Sequence, residues 1–335
     1  MGANRNLTGG TAIMKKISLV VPVYNEEDNI EHFTAKVKEV MSAQKYDYEL
    51  IFVDDGSKDR SREILRRLEQ DDKRVCSIFL AKNSGHQLAL TCGMDYAEGD
   101  AVITMDGDMQ HPPELLPELI ARWEKGAQVV QTIRETTEGV SLFKRLTSKY
   151  YYRLMNFLAE VPIRAGGSDF RLMDRQVVLE FRRYREHARF IRGIVGSMGY
   201  RQELFTFVAP QRFAGTSKFS LRKMLNFAVD GILAYSRVPL RISLYAGFLL
   251  GFASILYFIN VIYERYSGQT VEGWATIVGM MLLFGGIQLV FLGIMGEYIG
   301  RIFEEVKARP LYSVARLSPT LTPRNKQEDG NVLYG

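Results

Sequence analysis

Residues 17–29 read ISLVVPVYNEEDN, a short apolar run that breaks abruptly into a polar cluster. The run is too short for an amphipathic helix and rich in β-branched residues, so it reads as a buried strand. Working outward, the same kind of run returns at 48–54 (YELIFVD), 74–80 (RVCSIFL), 101–106 (AVITMD) and 128–133 (QVVQTI). Helix-like segments begin between them, near Asp28, Ser57, Gly85 and Pro113. Buried strands alternating with helices predict an α/β fold, a mostly parallel Rossmann-like sheet with helices on both faces. Ligands of such sheets bind at the carboxyl ends of the strands.

Three polar clusters fall there. The first strand ends in Pro22-Val23-Tyr24-Asn25-Glu26-Glu27, the second in Asp54-Asp55-Gly56-Ser57, and the fourth in Asp106-Gly107-Asp108-Met109-Gln110. Each has a purely architectural reading: Asp-Gly is turn chemistry, Ser57 suits a helix N-cap, and Asn25-Glu26 could open a helix. The third cluster resists that reading best. Two carboxylates two residues apart and a following amide make a hard-oxygen site for Mg²⁺ or Mn²⁺ shared with substrate phosphates. Neither a nucleophilic Cys/His or Ser/His pair nor a Walker loop accompanies it, which points to a metal-assisted leaving group.

The rest of the chain sets the context. Among 335 residues, 43 are Lys or Arg and 38 Asp or Glu, giving a net charge of +5. With 47% hydrophobic residues, global disorder is excluded. Two cysteines, Cys76 and Cys92, cannot build a disulfide scaffold. The mean hydropathy of −0.08 hides a sharp segregation. Residues 242–263 and 274–296 carry no charge, and each makes a helix of about 33 Å, enough to cross a hydrocarbon core. Arg237 and Arg241 flank one end, and Arg301, Lys307 and Arg309 the other. The positive-inside rule therefore puts both outer flanks in the cytoplasm, as a multi-pass hairpin over 239–300. The first thirteen residues lack an apolar core and read as a disordered extension or expression remnant. Residues 301–335 are expected to form a cytoplasmic C-terminal tail, and 313–335, polar and without periodicity, read as disordered.

PVYNE, DDGS and DGDMQHPPE, in this order and spacing, resemble the family 2 glycosyltransferases with the GT-A fold. GGSDFRLMDR (166–175), RFAGTSK (212–218), the two spans and GEYIGRIFEEVKARPLY (296–312) narrow the resemblance to polyprenyl-phosphate glycosyltransferases, with dolichol-phosphate mannose synthase more distant. It covers residues 15–312. DGD stands where DAD is commoner, with both carboxylates kept. The resemblance implies a GT-A domain over 14–218 and an inverting, metal-dependent hexosyltransferase of the inner membrane. It would move a sugar from a nucleoside diphosphate, UDP-glucose or a related UDP-sugar, to undecaprenyl phosphate for cell-envelope glycan modification. Pro22, Tyr24, Asn25, Glu26, Asp55, Asp106 and Asp108 would line the nucleotide-sugar pocket. Asp106, Asp108 and Gln110 would hold Mg²⁺ or Mn²⁺. Asp169 is the candidate catalytic carboxylate, with Asp108 also catalytic through the metal it would hold, and Arg134, Arg171, Arg212, Ser217 and Lys218 would meet the acceptor phosphate or donor diphosphate.

A phosphate monoester acceptor has a second pKa near 6 and is largely ionised at pH 7. Asp169 is therefore expected to orient groups, or to hold Arg171 or another cation, at least as much as to remove a proton. Residues 134–241 hold 20 Lys+Arg against 9 Asp+Glu. Nucleic acid is not the expected partner, because this stretch leads into the hairpin; amphipathic helices at 142–160 and 219–238 are expected at the lipid interface. Self-association is expected from a two-helix hairpin with little to pack against alone. His86 is open between a site role and a helix-start role, and His32, His111 and His187 form no cluster. Trp274 and Tyr298 read as interfacial anchors, and Gln288 with Gly279, Gly285 and Gly286 as helix-packing positions. A processive synthase would need a Gln-x-x-Arg-Trp motif and more spans. A flippase would need intramembrane charge, and a non-catalytic sensor a broken metal site.

Overall fold

The structure, a computed structural model, describes residues 14–134, 167–208, 238–267 and 273–322. They divide into a sheet-based unit and a unit that holds two long apolar helices. The expected interfacial helices, and Arg212, Ser217 and Lys218, lie outside the described residues.

In the sheet-based unit the strands are β1 (Lys16–Val23), β2 (Asp47–Asp54), β3 (Val75–Leu80), β4 (Ala101–Thr104), β5 (Val129–Arg134), β6 (Gly167–Asp174), β7 (Gln202–Phe207) and β8 (Val314–Leu317). They form one sheet in the order β7-β5-β6-β4-β1-β2-β3-β8. The centre β4-β1-β2-β3 is parallel, as the alternation of runs predicts, and β6 runs against both β4 and β5. Helices α1 (Ile30–Ser42), α2 (Ser61–Asp71), α3 (His86–Tyr96), α4 (Leu116–Glu124), α5 (Arg175–Phe181) and α6 (Ile191–Ser197) cover the sheet.

Each face has its own core. Phe33, Val37 and Met41 of α1 and Leu116 and Leu119 of α4 pack with Leu19, Leu50 and Phe52 on one side. Ala89 and Leu90 of α3, Val177 and Phe181 of α5 and Ile194 of α6 pack with Val20, Ile51 and Met173 on the other. Each fully buried side chain of this size contributes roughly 1.5–3 kcal/mol. At Gly93 a Cβ would lie 2.2 Å from Val20 Cγ1, so only glycine lets α3 sit this close to β1. Pro22, within a central strand, loses no ladder bond. By the alternation of the parallel ladder its nitrogen faces β4, whose pairing with β1 has ended at Thr104.

Residues 313 onward do not behave throughout as an unstructured tail. β8 adds to the sheet antiparallel to β3, Ala81 N donates to Ser313 O at 2.8 Å, and Leu321 is buried in the α3-side core. The edge of β3 would otherwise leave backbone donors and acceptors unpaired, and the returning chain satisfies them. Helix α2 also starts later than Ser57. Its first turn follows Arg60, because the Ser57 hydroxyl is used elsewhere.

The second unit consists of α7 (Val238–Tyr266) and α8 (Trp274–Val306). Both are long and apolar enough to cross a membrane. They contain the uncharged runs 242–263 and 274–296, and α8 continues past the second run through Glu297, Arg301, Glu304 and Glu305.

Candidate active site

The strand-end turns of β1 and β2 are stitched together. Asn25 takes a left-handed backbone, φ 54°, which lets its N–H donate to Ser57 Oγ at 2.9 Å while its Oδ1 accepts from Lys58 N at 2.8 Å. Glu26 N donates to Ser61 Oγ, and Glu27 N to Asp59. Asp54, fully buried, accepts from Ser57 N and from Arg62 Nε at 2.6 Å. Asn25 thus binds the two loops to each other and is not among the residues lining the cavity. Asp55 accepts Ser84 N on one oxygen at 2.6 Å and Gly85 N on the other at 2.8 Å. Burial pushes its pKa up and those two amides oppose the shift. Gly56, at φ 77°, lies where a Cβ would meet Asn83 N at 2.7 Å, so glycine permits this loop contact.

Together these turns frame a cavity of about 330 Å³. It is lined by Pro22, Tyr24, Glu26, Asp55, His86, Asp106 and Asp108, with Val23, Asn83, Gly85, Ala89 and Gly107 between them. Six of the seven expected nucleotide-pocket residues converge here, all but Asn25. Tyr24 is 44% exposed, an aromatic face open to a base or sugar.

Because β6 runs against β4 with Arg171 opposite Thr104, Asp169 of β6 comes level with Asp106, just past the end of β4. Thr104 Oγ1 donates to Asp169 O at 2.6 Å. The Asp169 carboxylate is buried and surrounded by donors. Oδ1 accepts from Arg171 Nη2 at 2.9 Å and Arg192 Nε at 3.0 Å; Oδ2 accepts from Gln87 Nε2 at 3.2 Å and faces His86 Nε2 at 3.4 Å. Burial opposes its charge, but the His86 hydrogen bond and the two guanidiniums outweigh it and hold its pKa well below the carboxylate range. Such a group is a poor proton acceptor at neutral pH. Arg171 is itself fully buried, and burial pulls its pKa down to about 10 against the pull of Asp169. It anchors Asp169 from beneath and has no surface with which to meet a phosphate, contrary to the sequence expectation.

Two histidines belong to this site, His86, which the sequence leaves open, and His111, which it does not single out. His86, first residue of α3 after the left-handed Gly85, has Nε2 3.5 Å from Asp106 Oδ1 and 3.4 Å from Asp169 Oδ2. Burial lowers its pKa, but the Asp169 hydrogen bond and the charge of Asp106 raise it further, so the net shift is upward. His111 is buried, accepts from Asp106 N on Nδ1 at 2.8 Å and meets Ser168 Oγ through Nε2 at 2.7 Å. Burial keeps it neutral, and it stacks on Phe170 at 5.2 Å. It fixes the backbone of Asp106 from below. The only sequence signal for either was its place, directly after a strand-end turn.

Among the described residues Asp106 Oδ1 is buried with no hydrogen-bond partner, His86 Nε2 lying 3.5 Å away, and Asp108 follows within the same turn, its Oδ1 accepting Gln110 N at 3.1 Å. An orphaned carboxylate oxygen beside a second carboxylate fits a divalent cation whose remaining positions are filled by substrate phosphates. Gln110 Oε1 instead accepts from Arg134 Nη1 at 3.1 Å, so that amide is engaged by the arginine at the end of β5. Among the described residues no group of three or more His, Cys, Asp or Glu forms a self-sufficient metal cage.

Comparison with known proteins identifies the family. Residues 18–181 match the glycosyl transferase family 2 model, and residues 238–302 match the GtrB C-terminal hairpin. The uncharacterized glycosyltransferase YkcC of Bacillus subtilis (strain 168) is 45% identical over 89% of this chain and 93% of its own length. The bactoprenol glucosyl transferase of Shigella phage SfII is 38% identical over 90% of this chain and 98% of its own. A solved structure of glucosyl-3-phosphoglycerate synthase from Mycobacterium tuberculosis, in complex with Mn²⁺, UDP-glucose and phosphoglyceric acid, aligns with TM-score 0.42 and 18% identity. That alignment covers 65% of this chain and 78% of the other. By these family matches and relatives the chain belongs to glycosyl transferase family 2, in the group that carries the GtrB C-terminal hairpin.

Proposed function

We propose that this glycosyltransferase moves a sugar from a nucleoside-diphosphate donor to a polyprenyl phosphate at the cytoplasmic face of the inner membrane. UDP-glucose or a related UDP-sugar is the donor this reading favours. The observation that carries it is Asp106, its Oδ1 buried and without a hydrogen-bond partner among the described residues, beside Asp108 in the wall of the cavity that Tyr24 and Asp55 also line. The hairpin match and the bactoprenol glucosyl transferases among the relatives support the lipid-phosphate acceptor.

The residues divide the work. Tyr24 offers a stacking face for the base, and Asp55, fixed by two backbone amides, keeps lone pairs for a base N–H. Asp106 and Asp108 would hold Mg²⁺ or Mn²⁺, which stabilises negative charge on the departing diphosphate. An acceptor phosphate oxygen attacks the anomeric carbon as the bond to the diphosphate oxygen breaks with its electron pair. The configuration inverts and the nucleoside diphosphate departs. The attacking dianion carries no proton that must be removed, which agrees with an Asp169 held ionised and fully solvated by side-chain donors.

The hairpin supports the membrane location. The chain leaves the sheet-based unit for α7 and returns to it at β8, so both ends of a two-helix hairpin share one side of the bilayer. Basic flanks put that side in the cytoplasm. Oligomeric association of the hairpin is part of this proposal only as an expectation from its unburied apolar faces.

The test is a transfer assay with purified protein in detergent, undecaprenyl phosphate, Mg²⁺ or Mn²⁺ and radiolabelled UDP- and GDP-sugars. Label should pass into the organic phase from one donor. EDTA should abolish it, and Asp108→Asn should lower it by about 10²–10³-fold, as for loss of one transition-state stabiliser. Nucleotide binding without transfer from any donor would overturn the reading.

A further inference from the structure

The described cations around Asp169 differ in what they can still do. Arg171 is sealed in the core. Arg134, at the end of β5, is tied to Gln110. Arg192 spends only Nε, on Asp169 Oδ1, and its side chain is 35% exposed. Its two Nη groups have no protein partner among the described residues, and a guanidinium with both Nη groups free is shaped to grip a phosphate with two parallel hydrogen bonds.

Its location separates it from the donor. The cavity lined by Tyr24, Asp55, Asp106 and Asp108 includes His86 but neither Asp169 nor Arg192. His86 is the shared wall. One side of it lines that cavity, and its Nε2 faces the Asp169 carboxylate whose other oxygen holds Arg192. A transferase needs a second subsite next to, and distinct from, the donor's. Arg171 and Arg192 bring two permanent positive charges against the single carboxylate of Asp169, so the cluster has a surplus for an anion even without His86.

The support beneath Arg192 is built to hold it still. Ile191 N donates to Gln87 Oε1 at 3.1 Å while Gln87 Nε2 donates to Asp169, so α6, α3 and β6 share one hydrogen-bond chain. At Gly193 a Cβ would lie 2.7 Å from Phe190 Cδ1, which keeps the turn beside Arg192 tightly folded.

We propose that Arg192 is the residue that receives the acceptor phosphate, with Asp169 as the positioning residue that aims it and His86 as the boundary where acceptor meets donor. The inference rests on the transferase reading above and deepens it. The ligand chemistry is a phosphate monoester, presented by a polyprenyl chain.

The experiment varies donor and acceptor separately with the full-length, detergent-purified protein, comparing wild type, Arg192→Ala and Arg192→Lys. Arg192→Ala should raise the KM for polyprenyl phosphate by about tenfold or more, in line with the loss of a charge-assisted bidentate contact. The KM for the sugar donor and the affinity for the nucleoside diphosphate should stay within about twofold. Arg192→Lys, which keeps the charge and loses the fork, should recover part of the effect. Inorganic phosphate should compete with the acceptor in wild type and lose that effect in Arg192→Ala, which identifies the phosphate, not the lipid chain, as what Arg192 holds. Unchanged acceptor KM in both variants, or parallel loss of nucleotide affinity, would overturn the inference while leaving the transferase reading intact. A wild-type protein that transfers to no polyprenyl phosphate would overturn the reading and the inference together.

Discussion

Phe52 in β2 is fully buried, whereas Phe248 in α7 leaves 70% of its surface open. The contrast runs through both units. Leu19, Leu50, Ile51 and Val53 are closed inside the sheet-based unit, while Leu249, Phe252, Ile255 and Met281 are each more than half exposed. The residue types are the same, and what differs is what completes their burial. In the first unit two helical layers do so. In the second the protein supplies almost none of it, which is the condition of a helix pair whose solvent is lipid. The polar residues follow the same division. Asp169, Arg171, Asp54 and Asp95 are buried with partners in the first unit, and the uncharged runs of the second contain no ion pair to bury.

The sharpest way to break this contrast is to unpair a buried charge. Asp169→Asn leaves the sealed Arg171 guanidinium without its counter-charge, an expected loss of about 3–5 kcal/mol at pH 7 in urea denaturation of the detergent-solubilised protein. The pH dependence carries the sign. A depressed carboxylate pKa contributes stability fully above the unfolded value near 4 and loses it as pH falls toward the folded value. The gap between wild type and variant should therefore be constant from pH 8 to about 5 and narrow below about 4. A gap that narrowed between pH 8 and 6 would contradict the ionised state assigned to Asp169.

The next largest effect addresses the other unit. Phe252→Lys puts a charge near the middle of α7, where the membrane reading predicts a penalty of about 2.5–3.5 kcal/mol in a membrane-insertion assay. If α7 were an exposed helix in water, the same change would cost nothing measurable. The mildest test concerns the segment that returns from the hairpin to the sheet. Tyr312 Oη donates to the buried Asp95 of α3 at 2.6 Å, beside Arg185. Burial and the Asp95 charge push the Tyr312 pKa far above its usual value, so it stays a donor throughout the working range. Tyr312→Phe should cost about 1–2 kcal/mol of sheet-unit stability by the same denaturation measurement, with insertion of the hairpin unchanged.

Much of this was legible in the residues. The runs at 17–23, 48–54 and 128–133 became β1, β2 and β5 within a residue or so, because short apolar β-branched runs flanked by turn chemistry have few other folded outcomes. The clusters at Tyr24, Asp55, Asp106 and Asp108 converged because parallel strands bring their carboxyl ends to one edge. Ser57 suits a helix cap locally, but its hydroxyl accepts from the backbone of Asn25, a residue 32 positions away. Asn25 itself reads locally as a site residue and acts as a stitch. Arg171 has the chemistry of a phosphate ligand in the sequence and the burial of a core residue in the fold.

The sequence by itself determined the alternating architecture, the edge where the carboxylates meet and the two stretches long and apolar enough to cross a membrane. Periodicity, turn chemistry and charge are properties of neighbours along the chain, and these features depend on little else. Only the tertiary structure decided that VARL at 314–317 would complete the edge of β3, that His111 would hold Asp106 from beneath, and that Arg192 would turn Nε to Asp169 at a partly exposed position while Arg171 was sealed away. Each of these is set by which distant backbone or carboxylate lies within hydrogen-bond reach. That distance exists only after strands far apart in sequence have been brought side by side, at the cost of the chain entropy their contacts must recover.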